Sequence, residues 1–378
     1  MTATPLDSAR PDARGAGERA LAHFLAAGFE RIEPPILQPA AIFLDMSGEE
    51  IRGRLYLTAD PAGDEFCLRP EYTIPVCRAY LASPGAGRTA EYSYLGPVFR
   101  AQAGQTGERA QTGLESFGRK DAEAADAEIF SLATEAASLM GGRLAARLGD
   151  VGLFDCVLAS LALPDVWRRR LKRGVAHGRS LATILNGRGQ SPLSQPGMLA
   201  AMESADHAGA KALVEDLLAV AGIDAVGGRT ASEIADRFLE QAALRSGEPI
   251  DPDKRKALEA YLSVSGDPDA AAVKLRSLAY EAKLDLEPAL DAFERRNGFL
   301  AARGVALEQT RFSAAFVRDF DYYTGFVFEA RDAADPDARP ALGGGRYDGL
   351  LRRLGAREDI PAVGAAIALD RLTRGGTD

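Results

Sequence analysis

Histidine is scarce in this chain. Only His23, His177 and His207 occur, and none stands in an H-x-x-x-H or H-x-x-E spacing. A metal centre built on imidazoles is therefore not expected. The three cysteines, Cys67, Cys77 and Cys156, form neither a C-x-x-C pair nor an even framework, which fits a reducing compartment. There is no G-x-S-x-G, so a Ser–His hydrolase has little support. No run approaches the ~20 apolar residues that span a bilayer. The opening "MTATPLDSARPDARG" lacks the apolar segment of a secretory signal. Together these absences lead us to expect a cytoplasmic chain with no membrane, metal or cofactor. Basic charge is also short: the formal net charge is −9 and the sequence pI about 5.2. That balance argues against nucleic acid as the main partner, although a local basic patch remains compatible with it.

What is present is ordinary globular material, 46% apolar and 26% charged over 378 residues. That length corresponds to about two or three domains. Residues 10–28 have the spacing of an amphipathic helix with Leu21, Phe24 and Leu25 on its apolar face. Two short strands flank the Pro-Ala-Gly-Asp turn in "GRLYLTADPAGDEFCLRP". A helix starts near Thr73, with Pro75 tolerated in its first turn. Strands are expected over 91–102 and 110–118, a helix over "DAEAADAEIFSLATEAASLM", and another strand over 149–155. From 156 to 305 the pattern is nearly all helical. Strands return over 311–330 and 339–345, and the segments "RYDGLLRRLG" and "AIALDRLTRGG" have the pattern of closing helices. The expected fold is α+β: a core of 1–155 and 306–378 interrupted by a helical insertion at 156–305.

Several short stretches carry more polarity than a core needs. In "LRPEYT", Arg69, Glu71 and Thr73 share one face if the backbone stays extended. The carboxylate and hydroxyl could then receive an ammonium group. Alternatively Thr73 opens the helix and Glu71 is solvated. In "GPVFRAQ", Arg100 follows an apolar strand; its fork suits a carboxylate or phosphate, and equally an internal ion pair. "QTGLESFG" places Gln111, Gly113, Glu115 and Phe117 on one strand face. An inward amide and carboxylate suit a polar ligand, because buried polar groups need partners. Gly113 leaves room for a ligand or a neighbouring backbone, unless this is a plain solvent face with a bulge. "GGGRYDG" (343–349) misses the G-x-G-x-x-G and P-loop spacings and reads better as a strand-to-helix junction. The basic run 167–179 is either a partner patch or a solvated helix face. Finally, "FVRDFDYYTGFVFEA" (316–330) reads as one Phe- and Val-rich strand that also holds Arg318, Asp319, Asp321 and the pair Tyr322–Tyr323.

In this order the stretches resemble the catalytic core of class II histidyl-tRNA synthetases. "LRPEYT" is similar to that family's "LRPEGT", and "GPVFRAQ…AQTGLESFG" to motif 2. "VRDFDYYTGFVFE" is similar to the histidine-specific "RGLDYY…VFE" segment, "GGGRYDGLL" to "GGRYDGL", and "AVGAAIALDRL" to motif 3. The resemblance implies an antiparallel class II sheet flanked by helices, and a pocket for free L-histidine. Within it, Glu71 and Thr73 take the α-amino group with Gln111 nearby, and Arg100 and Gln111 lie towards the carboxylate. Glu115 and Tyr323 grip the imidazole nitrogens, Tyr322 lines the pocket, and Arg318 sits near the carboxylate or an activated phosphate. A ring with a nitrogen on each side needs polar groups on both flanks, and such a site rejects analogues that lack them.

The departures from the synthetase pattern bear on turnover. Its motif 2 Arg-His-Glu is Arg100-Ala101-Gln102 here, so an acid of the ATP side is neutral. Its Arg-rich motif 2 loop is "AGQTGER" here, and the Gly of "GLER" is Ala368, whose methyl would crowd a stacked base. Arg100, Arg318 and Arg371 are kept. The chain stops at Asp378, soon after motif 3, so no anticodon-binding domain is expected. This pattern resembles the synthetase-like regulatory subunits of ATP phosphoribosyltransferase. That resemblance implies a histidine-sensing, non-catalytic subunit that activates a short-form catalytic subunit. The expected assembly is a hetero-octamer with a class II-like self-dimer through "GFERIEPPILQPAAIFL", without tRNA. A histidine-adenylating enzyme is the alternative.

Overall fold

The computed structural model describes residues 11–46, 53–104, 106–186, 250–318, 322–335 and 337–372, and residue 212. His207, Asp319, Asp321 and the helices expected between 187 and 249 lie outside the described residues. The chain divides into two compact units, Met1–Cys156 with Ser263–Asp378, and Val157–Leu262.

The first unit is built on a nine-stranded sheet. Its strands are β1 (Glu30–Arg31), β5 (Ala90–Phe99), β6 (Glu108–Phe117), β7 (Leu144–Asp150), β8 (Ser265–Gly266), β9 (Arg311–Ser313), β10 (Phe326–Asp332), β11 (Leu342–Arg346) and β12 (Ala362–Ala368). They lie in the order β1-β5-β6-β12-β11-β10-β7-β9-β8. All pairings are antiparallel except β1 with β5 and β7 with β9. A separate three-stranded sheet orders β2 (Leu37–Pro39), β4 (Glu65–Leu68) and β3 (Leu57–Ala59) as β2-β4-β3. The expected α+β class and antiparallel sheet are thus realised.

Helix Ala122–Leu139 packs across β6, β12, β11 and β7, and helix Pro11–Ala26 across β5 and β6. The aromatic contacts are specific. Phe130 meets Phe328 edge-on at 5.1 Å, Tyr80 stacks on Phe117 at 4.6 Å, and Tyr72 on Tyr94 at 4.1 Å. Each such ring stabilises by roughly 1.5–3 kcal/mol through burial alone. The second unit contains helices Asp165–Ala176 and Leu181–Asn186 and most of Pro252–Ser263.

Five sequence expectations need correction. The strand expected at 149–155 is instead β7 at 144–150; helix Val151–Ser160 follows because Asp150 Oδ1 accepts the Leu153 N–H at 2.9 Å. The Phe/Val-rich stretch 316–330 is not one strand: β9 ends at Ser313, β10 begins at Phe326, and Tyr322–Tyr323 stand outside both. The helix expected over 366–376 starts only at Leu369 and runs to Leu372; residues 366–368 instead end the central strand β12. Ala and Gly favour no strand alone, but this segment is paired on both sides, by β6 and β11, so tertiary pairing overrides propensity. Leu25 is 44% exposed, so the apolar face of the first helix rests on Leu21 and Phe24.

The last correction concerns the insertion, which ends at Leu262 rather than 305. Helices Pro268–Glu281 and Glu287–Ala302 belong to the core unit. Helix Glu287–Ala302 is tied to helix Ala122–Leu139 by Arg295–Glu123 (2.7 Å), while Arg303 reaches Glu128 (2.7 Å). A helical period does not reveal which unit a helix packs on.

Candidate functional site

The middle of the large sheet is floored by glycines. Gly364 on β12 lies opposite Glu115 on β6. A Cβ at Gly364 would fall on the Glu115 carboxylate, and one at Gly343 would fall on the Arg318 guanidinium. Two long charged side chains thus lie flat where the strand next to them has none. The space at Gly113 is used differently from the ligand approach considered above: the Tyr94 hydroxyl and the Ala365 carbonyl fill it.

Glu115 is the centre of the site, with 0% exposure. Its Oε1 accepts the Thr73 hydroxyl at 2.8 Å, and its Oε2 accepts the Tyr347 hydroxyl in a short bond. Burial pushes its carboxyl up to about 8, against the pull of those two bonds; the nearby Glu71 raises it further. Tyr347, Tyr322 and Tyr94 are pushed well above the ordinary phenol by burial and by Glu115, and the Cys77 thiol likewise. Among the described residues no Lys, Arg or His forms an ion pair with Glu115. A buried carboxylate served only by hydroxyls retains lone pairs for a further donor.

Glu71 is buried too. Its two oxygens accept the N–H groups of Thr73 (2.6 Å) and Ile74 (2.9 Å) at the start of helix Thr73–Leu81. Burial raises its carboxyl, while these bonds and Arg100 pull it back. Neither alternative drawn from "LRPEYT" therefore holds as stated: Glu71 rather than Thr73 satisfies the helix start, and Glu71 is not solvated. Nor do the three polar residues share a face. Arg69 turns away to Pro34 O (2.7 Å), Pro97 O (2.9 Å) and the Tyr72 hydroxyl (2.5 Å), because the backbone becomes helical at Thr73.

Gln111 is buried, and its Oε1 has no partner among the described residues; the same is true of the Arg318 Nε. An orphan acceptor and an orphan donor of this kind are costly unless something pairs with them. Arg318 also donates from Nη1 to Phe328 O at 3.1 Å. Arg100 donates to Pro70 O at 2.8 Å, and burial lowers its guanidinium while Glu71 raises it. Tyr322 lies 4.8 Å from Tyr323 and 5.8 Å, edge-on, from Tyr347. Burial raises Tyr323, Arg318 pulls it back, and Glu115 raises it again.

Glu71, Thr73, Arg100, Glu115, Arg318, Tyr322 and Tyr323 are linked by hydrogen bonds, ring contacts or charge, with different local jobs, while Gln111 stands four residues before Glu115 on β6. The Thr73 hydroxyl donates to Glu115, and its backbone N–H to Glu71. Tyr347 is the residue that sequence reasoning missed. Its signal lay inside "GGRYDG", where attention went to the glycines. Among the residues at the motif 2 and motif 3 positions, Arg109 bridges Gln102 Oε1 (2.6 Å) and Asp370 Oδ2 (2.8 Å). Arg371 is bound to the Pro340 carbonyl, and burial brings it down to about 10. In the basic run, Arg168 pairs with Asp165, while Arg170 donates to Ile184 O at 2.8 Å, 5.4 Å from the Trp167 ring. Part of that run therefore serves the helical unit itself.

The sequence matches the histidyl-tRNA synthetase family over residues 10–179 and 207–372. It is 41% identical over 356 residues to an ATP phosphoribosyltransferase regulatory subunit of Mesorhizobium japonicum, covering 92% of this chain and 94% of that one. The chain belongs to the ATP phosphoribosyltransferase regulatory subunit family. Another member of this family, from Brucella anthropi, is 39% identical over 349 residues, with 91% and 92% covered. Among solved structures, an ATP phosphoribosyltransferase regulatory subunit/histidyl-tRNA synthetase from Bacillus halodurans superposes with a TM-score of 0.67 at 20% identity. It covers 98% of this chain and 80% of that one. A histidine–tRNA ligase subunit from Alicyclobacillus acidocaldarius gives 0.58 at 24% identity, with 98% and 94% covered. At these identities the structures establish the class II synthetase fold. No helix among the described residues is long and apolar enough to cross a membrane.

Proposed function

We propose that this chain senses L-histidine and transmits its occupancy to a short-form ATP phosphoribosyltransferase catalytic subunit. It activates that subunit and itself carries out no catalysis. The observation that carries the reading is the buried Glu115 carboxylate, which holds only hydroxyl partners and faces a wall of tyrosines. It offers an acceptor to an imidazole N–H, and Tyr323 offers a phenol to the other nitrogen. The orphan Gln111 Oε1 suits the α-ammonium group, and the orphan Arg318 Nε suits the carboxylate. Arg100 and Glu71 supply the charge around them, and Thr73 and Tyr322 complete the lining. The ligand is histidine alone, with no cofactor or metal. The working assembly is a hetero-oligomer, a hetero-octamer with a self-dimer through 28–44, without tRNA.

Inhibition requires histidine to bind the inactive state of the complex more tightly than the active one. The test is reconstitution with the short catalytic subunit. Histidine should inhibit the complex, and Glu115→Ala and Tyr323→Phe should abolish that inhibition. Persistent inhibition in both variants would remove the sensing role. Retention of Arg100, Arg318 and Arg371 favours a second reading, formation of histidyl-adenylate. Against it, Arg109 is engaged by Gln102 and Asp370. Robust histidine-dependent pyrophosphate exchange with ATP would favour the enzyme.

A further inference from the structure

Next to Tyr347 in the chain begins a second buried cluster that the histidine reading does not use. Arg346, Arg296, Asp126 and Asp150 are each more than nine-tenths buried. Arg346 ends β11, immediately before Tyr347. Its Nε donates to Asp126 Oδ1 (2.9 Å), its Nη2 to Ala122 O (2.8 Å) and its Nη1 to Asp348 Oδ1 (2.9 Å). The other oxygen of Asp126 faces Arg296 at 3.7 Å. Arg296 in turn donates to Asp150 Oδ2 at 2.7 Å and lies 4.5 Å from the Phe326 ring.

The cluster grips both segments that carry the pocket tyrosines. On one side is Arg346, whose carbonyl accepts the Thr324 N–H at 2.9 Å. Asp348, bound to Arg346, accepts the Ala362 N–H at 2.8 Å, and Tyr347 N–H donates to Ala362 O at 2.8 Å. These bonds fix Tyr347 where its hydroxyl meets Glu115. On the other side, Asp150 caps helix Val151–Ser160, whose Val151 N–H donates to Gly325 O at 2.9 Å. Gly325 closes the segment that begins with Tyr322 and Tyr323. Four buried charges are a poor way to gain stability, because desolvation offsets most of the attraction. Their directional bonds do fix geometry, and the geometry they fix is that of the imidazole end.

We propose that Asp126, Arg346, Arg296 and Asp150 form a positioning device that sets Tyr347, and with it Glu115, for imidazole recognition. Asp126 acts on the ligand only through Arg346 and Tyr347. This inference rests on the reading of the pocket as a histidine site. The experiment uses the full chain and measures L-histidine affinity by titration calorimetry across pH 6–9 for wild type, Asp126→Asn, Tyr347→Phe and the double variant. Thermal melting checks folding, and Arg296→Lys, which keeps the charge, reads the same device if Asp126→Asn fails to fold.

Asp126→Asn should weaken histidine on the order of tenfold, and should add little once Tyr347→Phe is present, as coupled residues do. It should also move the pH midpoint of binding upward, in the direction expected when Glu115 loses its Tyr347 bond. A merely structural role predicts additive losses and an unmoved midpoint, and that result, with wild type binding normally, overturns this inference alone. Absence of histidine binding by wild type overturns the pocket reading as well.

Discussion

Replacing Glu115 by Gln keeps the shape of the side chain and removes its titration. In the folded chain this carboxyl titrates at about 8, against an ordinary 4.5, because it is fully buried. A carboxyl that holds its proton more tightly when folded contributes its full stability at low pH. It loses that stability as pH rises from about 4.5 through 8. Each unit of difference corresponds to ~1.4 kcal/mol. The loss relative to acid pH is then about 3 kcal/mol at pH 7 and approaches about 5 kcal/mol near pH 9.

The assay is urea unfolding of wild type and Glu115→Gln at intervals from pH 5 to 9, read as the difference between the two. Groups other than Glu115 cancel in that difference. Any fixed offset from the changed hydrogen bonds to Thr73 and Tyr347 does not vary with pH. The glutamine variant should gain on wild type steadily over this range and level off above about pH 8. A difference that stays flat within about 1 kcal/mol would refute the burial argument. Histidine should raise the melting temperature of wild type. The glutamine variant should bind about 10- to 100-fold more weakly, the equivalent of a lost hydrogen bond to a charged group.

Tyr347→Phe strands the Glu115 Oε2 and should cost about 1–3 kcal/mol in unfolding experiments; it should also raise the Glu115 midpoint, because the lost bond favours the charged form. Gly364→Ala drives a methyl onto the Glu115 carboxylate. It should destabilise by about 1–3 kcal/mol and abolish histidine-dependent thermal protection, even though the substitution is the smallest possible. Arg296→Met breaks the bond to Asp150 and leaves that carboxylate buried, at a cost of about 3–5 kcal/mol in chemical denaturation. Arg109→Ala removes the half-buried pair with Asp370; it should change stability by no more than about 1 kcal/mol and leave calorimetric histidine affinity unchanged.

Much of the site could be read from the sequence because it sits on short, regular pieces. Period 2 along β6 put Gln111 and Glu115 on one face, and that spacing holds wherever the strand lies. Arg100, Arg318 and the tyrosine pair stood out because charges and phenols interrupt apolar stretches. The same local reasoning failed where a neighbour decides the outcome. Residues 366–368 look helical alone, yet they end strand β12, which is paired on one side by β6 and on the other by β11. The boundary at 305 was wrong because the ion pairs of helix Glu287–Ala302 join residues more than a hundred positions apart.

Sequence by itself thus determined the α+β class, through periodicity, and the family, through the resemblance of its motifs, and it singled out the polar residues that interrupt apolar stretches. Only the tertiary structure decided what each of them touches. It bonded the Thr73 hydroxyl to Glu115, gave Glu71 to the helix start, and raised Tyr347 to a partner of the central carboxylate. It also joined Asp126 to Arg346 across the fold. Hydrogen bonds reach only about 3 Å, so partners far apart in the chain are chosen by packing.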